Sequence, residues 1–199
     1  AGVGFLGVIE NDKVDYSNLH RQTLYDYNDV GKYKSDVVKK KIKLINDRIR
    51  LKIFQERAND KNLGKILPKF DIIVDGTDNF PTKFLLNKYS LKYKKKLVIG
   101  AISKFDGHIF SFDFSQKKIP CLNCFYQGMP SDEILNCEAE GILGPTANVI
   151  GALQANEVLK IILGLNGIIK NNILIVDLLN LTSRKVNFKK RKNCLCKKL

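Results

Sequence analysis

Phe5-Leu6-Gly7-Val8-Ile9 is an unbroken apolar run closed by Glu10 and a polar stretch, the pattern of a short strand buried on both faces. In the lysine-rich segment that follows, Val37, Val38, Ile42 and Ile45 recur at mixed three- and four-residue spacing, which predicts an amphipathic helix over 34–48. Leu51 to Phe54 reads as a strand, and Asp71 to Asp75 as a second buried strand bounded by acid. The pattern then gives a helix from Phe80 to Tyr93, capped at Asp78 or Asn79. Strands are predicted at Leu97 to Ala101 and at Gly107 to Phe114, the second alternating in the manner of an antiparallel strand. Pro145 suits the start of a long apolar helix that Gly164 stops after Leu163, and two strands, Ile173 to Leu178 and Arg184 to Phe188, close the pattern. Strand and helix alternate first and strands follow one another later. That order predicts an α/β fold with an open sheet, parallel in its first half and mixed in its second.

Ligands of such sheets collect at the carboxyl ends of the strands, and the polar clusters of this sequence fall there. Glu10-Asn11-Asp12 and Ser17-Asn18-Leu19-His20-Arg21-Gln22 follow the first strand, and Asp75-Gly76-Thr77-Asp78-Asn79 ends the third. An acidic strand end can take both hydroxyls of a ribose, Arg21 and Lys34 can neutralise phosphates, and Asp78 can hold magnesium while nucleotide oxygens complete its shell. An acidic strand end is more often a loop signal, and a lone arginine a surface residue. The joint placement is what points to a nucleotide.

Four of the five cysteines form two close pairs, Cys121-Leu-Asn-Cys124 and Cys194-Leu-Cys196. Tetrahedral zinc takes four soft ligands, and a C-x-x-C turn can aim two thiolates at one point. The second pair is one residue shorter than the common knuckle, which leaves open whether Cys194 or Cys196 misses the metal; ordinary buried or free cysteines are the alternative. Cys137 stands apart between polar residues, beside Glu138 and Glu140, whose charges do not favour a thiolate. An incidental cysteine is the default there and a reactive thiol the alternative.

The 199 residues, 44% hydrophobic, are enough for one core. No apolar stretch is long enough to span a membrane, no secretory signal opens the sequence, and the cysteine spacing suits metal in a reducing compartment, so a cytoplasmic protein is expected. The net charge of +14 raises nucleic acid as a partner. Its excess is mainly lysine, in runs such as Lys39-Lys40-Lys41 and Lys94-Lys95-Lys96, without interleaved aromatic residues for stacking. A solvated lysine surface is therefore expected and nucleic acid is not, and the charge equally suits an acidic protein partner.

Five motifs in order, Asp12-x-Val14-x-x-Ser17-Asn18-Leu19-x-Arg21-Gln22, Gly31-x-x-Lys34, Asp75-Gly76-Thr77-Asp78-Asn79, Pro120-Cys121-x-x-Cys124 and Cys137-x-x-x-Gly141-x-x-Gly144-Pro145, resemble the MoeB/ThiF adenylyltransferases that activate sulfur-carrier proteins, relatives of the ubiquitin-activating enzymes. The resemblance implies a Rossmann-like sheet with a zinc-clamped C-terminal part, and ATP-dependent adenylation of the Gly-Gly carboxylate of a ubiquitin-like carrier in molybdopterin or thiamine biosynthesis. It implies that Glu10 binds ribose and that Asn18 and Arg21 bind the polyphosphate. Lys34 falls on the phosphate transferred or departing, Asp78 on magnesium and Asn79 in the same loop; Asp12 and Gln22 belong to the same nucleotide-binding motif. Zinc is implied on Cys121, Cys124, Cys194 and Cys196, with the family's C-x-x-C replaced here by C-x-C at the second pair. Cys137 matches a cysteine that some thiamine-branch relatives use to take the activated carrier covalently. A homodimer is expected from the family.

The family's Gly-rich turn would precede Ala1, so the sequence is expected to be N-terminally truncated. One adenylation domain over 1–199 is expected, with a nucleotide-binding half at 1–115 and a zinc-bearing, carrier-docking half at 116–199. A nicotinamide dehydrogenase would share the sheet but has no need of Ser-Asn-Leu-x-Arg-Gln or the paired cysteines, and a zinc-bearing nucleic-acid binder leaves the two acidic loops unexplained. The remaining alternative is a catalytically degenerate relative that only binds a protein.

Overall fold

The computed structural model describes residues 1–130 and 141–194. The chain divides into two compact units, Ala1–Ala58 and Asn59–Leu199. In the first, β1 (Phe5–Ile9) and β2 (Arg50–Phe54) pair in parallel, Phe5 opposite Arg50 and Ile9 opposite Phe54. Parallel neighbours need a crossover, and α1 (Lys34–Ile45) provides it, burying Val37 and Val38. The helix stops at Ile45, short of the expected residue 48. Asn46 leaves helical backbone there, and its side-chain oxygen accepts the amide of Arg48 instead, a local turn that competes with another helical turn.

The polar segment between β1 and α1 is folded tightly. Its two 3-10 turns, Tyr16–Asn18 and Tyr27–Asp29, are capped by Asp15 and Asp26, and Lys41 on α1 reaches Asp26 and Asp29 at 3.0 and 2.9 Å. The amide of Gly31 donates to the Val14 carbonyl at 2.8 Å, and Gly31 holds φ +83°, a conformation that a side chain disfavours.

The second unit contains β3 (Ile72–Asp75), β4 (Lys96–Ser103), β5 (Asp106–Asp113), β6 (Asn172–Asp177) and β7 (Thr182–Asn187), laid side by side in chain order. β3 and β4 are parallel, and every later pair is antiparallel. The expected open α/β fold is thus present as a parallel pair and a mixed five-stranded sheet. That sheet draws strands from both sides of residue 115. Its helices are α2 (Asp60–Ile66), α3 (Phe80–Lys92), α4 (Leu122–Tyr126) and α5 (Gly144–Leu163).

Alternation along β5 separates two cores. Ile109 joins Ile150 of α5 with Val98, Ile169 and Val176, whereas Phe110 and Phe112 meet Phe125 and Phe188 with ring centroids 5.0 to 6.3 Å apart. Helix α2 has no counterpart in the hydrophobic pattern. Asn59 makes it, by accepting the amides of Lys61 and Asn62 while Asn62 answers the Asn59 amide in a capping box. Among the described residues no helix is long and apolar enough to cross a membrane.

Gly107 on β5 is required by the packing of α5, since a Cβ there would lie 2.1 Å from Cδ1 and 2.2 Å from Cγ1 of the buried Ile150. Gly107→Ala is expected to cost about 1–3 kcal/mol through overpacking. Gly128→Ala, which meets nothing within 4 Å, serves as the reference in the same thermal unfolding experiment.

Candidate active site and thiol cluster

The nucleotide-directed residues fall into two groups, one on each unit. On the first, Glu10 ends β1 and its Oε1 accepts the amides of Asn11 and Asp12 at 2.8 and 2.9 Å, which turns the chain out of the sheet. Burial pushes the Tyr25 hydroxyl up to about 12, and the Glu10 carboxylate adds to that shift. The polar segment therefore folds back on the strand end. Asn18 closes a 3-10 turn whose carbonyl accepts the amides of Arg21 and Gln22 at 3.1 and 2.9 Å, so the three side chains leave one short loop. The Arg21 guanidinium donates to the Ser17 carbonyl at 3.0 Å and lies 2.8 Å from His20 Nε2. Lys34 opens α1, is 7% exposed, and stands 3.7 Å from the exposed Asp12 carboxylate. This surface offers both charge signs to a ligand at the carboxyl end of β1.

On the second unit, Asp78 is exposed and Asn79 caps α3, its Oδ1 accepting the Thr82 amide at 2.9 Å while its Nδ2 donates to Asp78 at 3.2 Å. Asp75 is the buried base of this loop. Its Oδ1 accepts the Thr77 amide and hydroxyl at 2.9 and 2.7 Å, and its Oδ2 lies 3.4 Å from Lys83 Nζ. Lys83 donates to the Gly100 carbonyl at 2.7 Å, and Gln154 of α5 donates to the Asp75 carbonyl at 2.9 Å. The carboxylate and ammonium side chains are 0% and 3% exposed. Gly100 makes room for Gln154, whose Oε1 would lie 2.3 Å from any Cβ at that position. The two aspartates of Asp75-Gly76-Thr77-Asp78 thus differ: the first is consumed in holding the loop, and the second is exposed to water, with Oδ1 accepting only the Asn79 side-chain amide.

Lys83, Gln154 and Asn87 were not marked by the sequence pattern. A lysine and an asparagine inside a helix ordinarily read as its wet face, and only their spacing from Phe80 and Phe84 places them on the buried one. Asn87, 0% exposed, accepts the Leu122 amide at 3.0 Å and so ties α3 to the start of α4.

α4 carries the first cysteine pair. Cys121 precedes its first residue and the Cys124 amide donates to the Cys121 carbonyl at 2.8 Å, which turns both thiols to one side. Cys121 Sγ lies 3.9 Å from Cys124 Sγ and 3.6 Å from Cys194 Sγ, and all three are buried within 4.8 Å of one another. Ligands about 2.3 Å from a tetrahedral zinc lie about 3.8 Å apart. The sulfurs therefore fit zinc and are too far apart for a disulfide. Cys194 reaches the cluster; Cys196 and Cys137 lie outside the described residues.

The ThiF family model matches residues 1–198, and the chain belongs to the ThiF family. A sulfur carrier protein adenylyltransferase of Thermus thermophilus is 36% identical over 198 residues, covering 98% of this chain and 73% of its own. The adenylyltransferase and sulfurtransferase MOCS3 of Culex quinquefasciatus is 37% identical over 178 residues, 89% of this chain and 40% of its own. A crystal structure of Escherichia coli MccB with ATP superposes with a TM-score of 0.78 at 24% identity, over 98% of this chain and 59% of that one, a likeness of fold. The chain thus spans under two thirds of the latter two.

Removing one charge from the Asp75–Lys83 pair strands the other in the interior, so Asp75→Asn is expected to cost about 3–5 kcal/mol. Combining it with Lys83→Met should recover most of that loss, a coupling that a double-mutant cycle in urea measures directly.

Proposed function

We propose that this protein catalyses ATP-dependent adenylation of the C-terminal Gly-Gly carboxylate of a ubiquitin-like sulfur carrier, serving molybdopterin or thiamine biosynthesis. The observation that carries the reading is the division of labour in Asp75-Gly76-Thr77-Asp78-Asn79, where a buried ion pair and a helix cap fix a loop that presents one exposed carboxylate. The family membership supports it, and so do the names of the relatives. A carrier carboxylate is already ionised at neutral pH, so attack on the α-phosphate needs alignment and charge neutralisation more than a base. Glu10 is assigned to the ribose, and Asn18, Arg21, Gln22 and Lys34 to the phosphates, with Asp12 holding Lys34. Asp78 is assigned to magnesium, which neutralises phosphate charge when bound, and Asn79 to the shape of that loop.

Zinc on Cys121, Cys124 and Cys194, with Cys196 as the fourth ligand, is assigned a structural role with no position open for chemistry. The carrier-docking half is assigned to 116–199. The reading extends to a homodimer working in the cytoplasm and assigns Cys137 no part in adenylation; a covalent carrier intermediate on that thiol belongs to later sulfur transfer.

Asp78→Ala or Arg21→Ala in the full-length gene product should lower ATP–pyrophosphate exchange about 10²- to 10³-fold, while Cys137→Ala keeps it. Near-normal exchange in Asp78→Ala removes the assignment. Elemental analysis should find one zinc per chain, and Cys121→Ser should lose the metal and melt lower. A metal-free protein whose melting temperature does not respond to that substitution refutes the clamp.

A further inference from the structure

The lysine excess is not spread evenly. From Leu178 to the end of the sequence there is no Asp or Glu, and Lys189-Lys190-Arg191-Lys192 forms a run directly before the second cysteine pair. That run and Phe188 make one side of an open groove, and Lys118 with Pro120 makes the other. Some cations elsewhere are matched by acids, as Lys32, Lys34 and Lys41 are by Asp29, Asp12 and Asp26. Among the described residues the five cations of the groove have no carboxylate partner. Like charges held this close repel one another. The local backbone that carries them is pinned.

Two observations say how it is pinned. The walls lead into the thiol cluster: Pro120 precedes Cys121, the Cys194 amide donates to the Arg191 carbonyl at 3.4 Å, and the two sulfurs are 3.6 Å apart. Phe188, in the groove lining, meets Phe110, Phe112 and Phe125 edge to face and so cannot rearrange freely. A cationic lining on a backbone fixed in advance lowers the ordering cost of binding.

We propose that this groove is a docking site for an acidic polypeptide segment, with carboxylates on Lys118 and Lys189–Lys192. The composition of the groove favours peptide over nucleic acid. It offers a single arginine, and its one aromatic ring is occupied by its neighbours, so neither bidentate base contacts nor a stacking platform is provided. Lysine ammonium groups are point charges that suit carboxylates without fixed geometry. The inference is independent of the adenylation reading, and binding can be measured without turnover.

The test is fluorescence anisotropy with a labelled peptide of glutamates around a central leucine, at low and physiological salt. The triple variant Lys118→Glu, Lys189→Glu, Lys192→Glu changes exposed side chains of the groove. Lys39→Glu, Lys40→Glu, Lys43→Glu makes the same charge change on the exposed face of α1. The groove variant is expected to lose affinity about tenfold or more and the α1 variant about twofold or less. Binding by the wild type should weaken as salt rises. Lys189→Glu alone should move in the same direction, which keeps the test valid if the triple variant folds poorly. Equal losses in the two triple variants would mean that only net charge matters and would overturn the site. Tighter binding of an oligouridylate of equal charge, lost with the same groove variant, would overturn the choice of partner.

Discussion

The buried pair of Asp75 and Lys83 is the interaction on which the candidate site of the second unit depends. It lies where the end of β3, the first turn of α3, the middle of β4 and the inner face of α5 meet, and each contributes one polar group to it. Two charges removed from water are stable only when every remaining hydrogen-bonding position is filled. Here Thr77 donates twice to the carboxylate and the Gly100 carbonyl accepts from the ammonium, while Gln154 holds the Asp75 backbone carbonyl beside them. The consequence is a strand-to-helix loop, capped by Asn79, from which Asp78 projects into solvent with only the Asn79 side-chain amide on its carboxylate.

A second constraint works at the other side of the same sheet. Three thiols brought within reach of one metal join α4 to the segment after β7, segments more than sixty residues apart in sequence. The aromatic residues beneath them, Phe110, Phe112, Phe125 and Phe188, form one contiguous layer. Asn87 links that layer to α3 through the Leu122 amide. The loop that presents Asp78 and the cluster that suits zinc are thus anchored through the same helix. The thiol cluster and the Asp78 loop have separate residues but a shared support.

Much of this was legible in the sequence. Leu97–Ala101 lies in a strand whose centre is buried, as its apolar run predicts, whereas Phe5–Ile9 forms the expected strand but is not buried, with Phe5 41% exposed; Gly164 ended α5 in the left-handed conformation expected of a terminating glycine, and Cys121 and Cys124 pointed to one spot. What escaped were elements made by polar groups. Helix α2 is too short to show a clear apolar period; it starts on the reciprocal Asn59 and Asn62 hydrogen bonds and buries Leu63 and Ile66. Lys83, Gln154 and Glu157 are buried because the fold supplies partners from distant segments; the Glu157 carboxylate, for example, accepts the Ile169 amide at 2.6 Å and meets Lys160 at 2.8 Å. No local pattern encodes such partners. The residues expected at the candidate site stand out in sequence because they combine charge with position at strand ends, whereas those that hold the Asp75-Gly76-Thr77-Asp78 loop in place look in sequence like ordinary surface.

The proposed function requires the protein to make an acyl adenylate on the Gly-Gly carboxylate of a carrier. Intact-mass spectrometry of a ubiquitin-like carrier ending in Gly-Gly, incubated with the full-length protein, ATP and magnesium, tests it most directly. The account predicts a carrier heavier by one AMP, abolished when the terminal Gly-Gly is deleted. A folded, ATP-binding protein that leaves every Gly-Gly carrier of its own cell unmodified would contradict it.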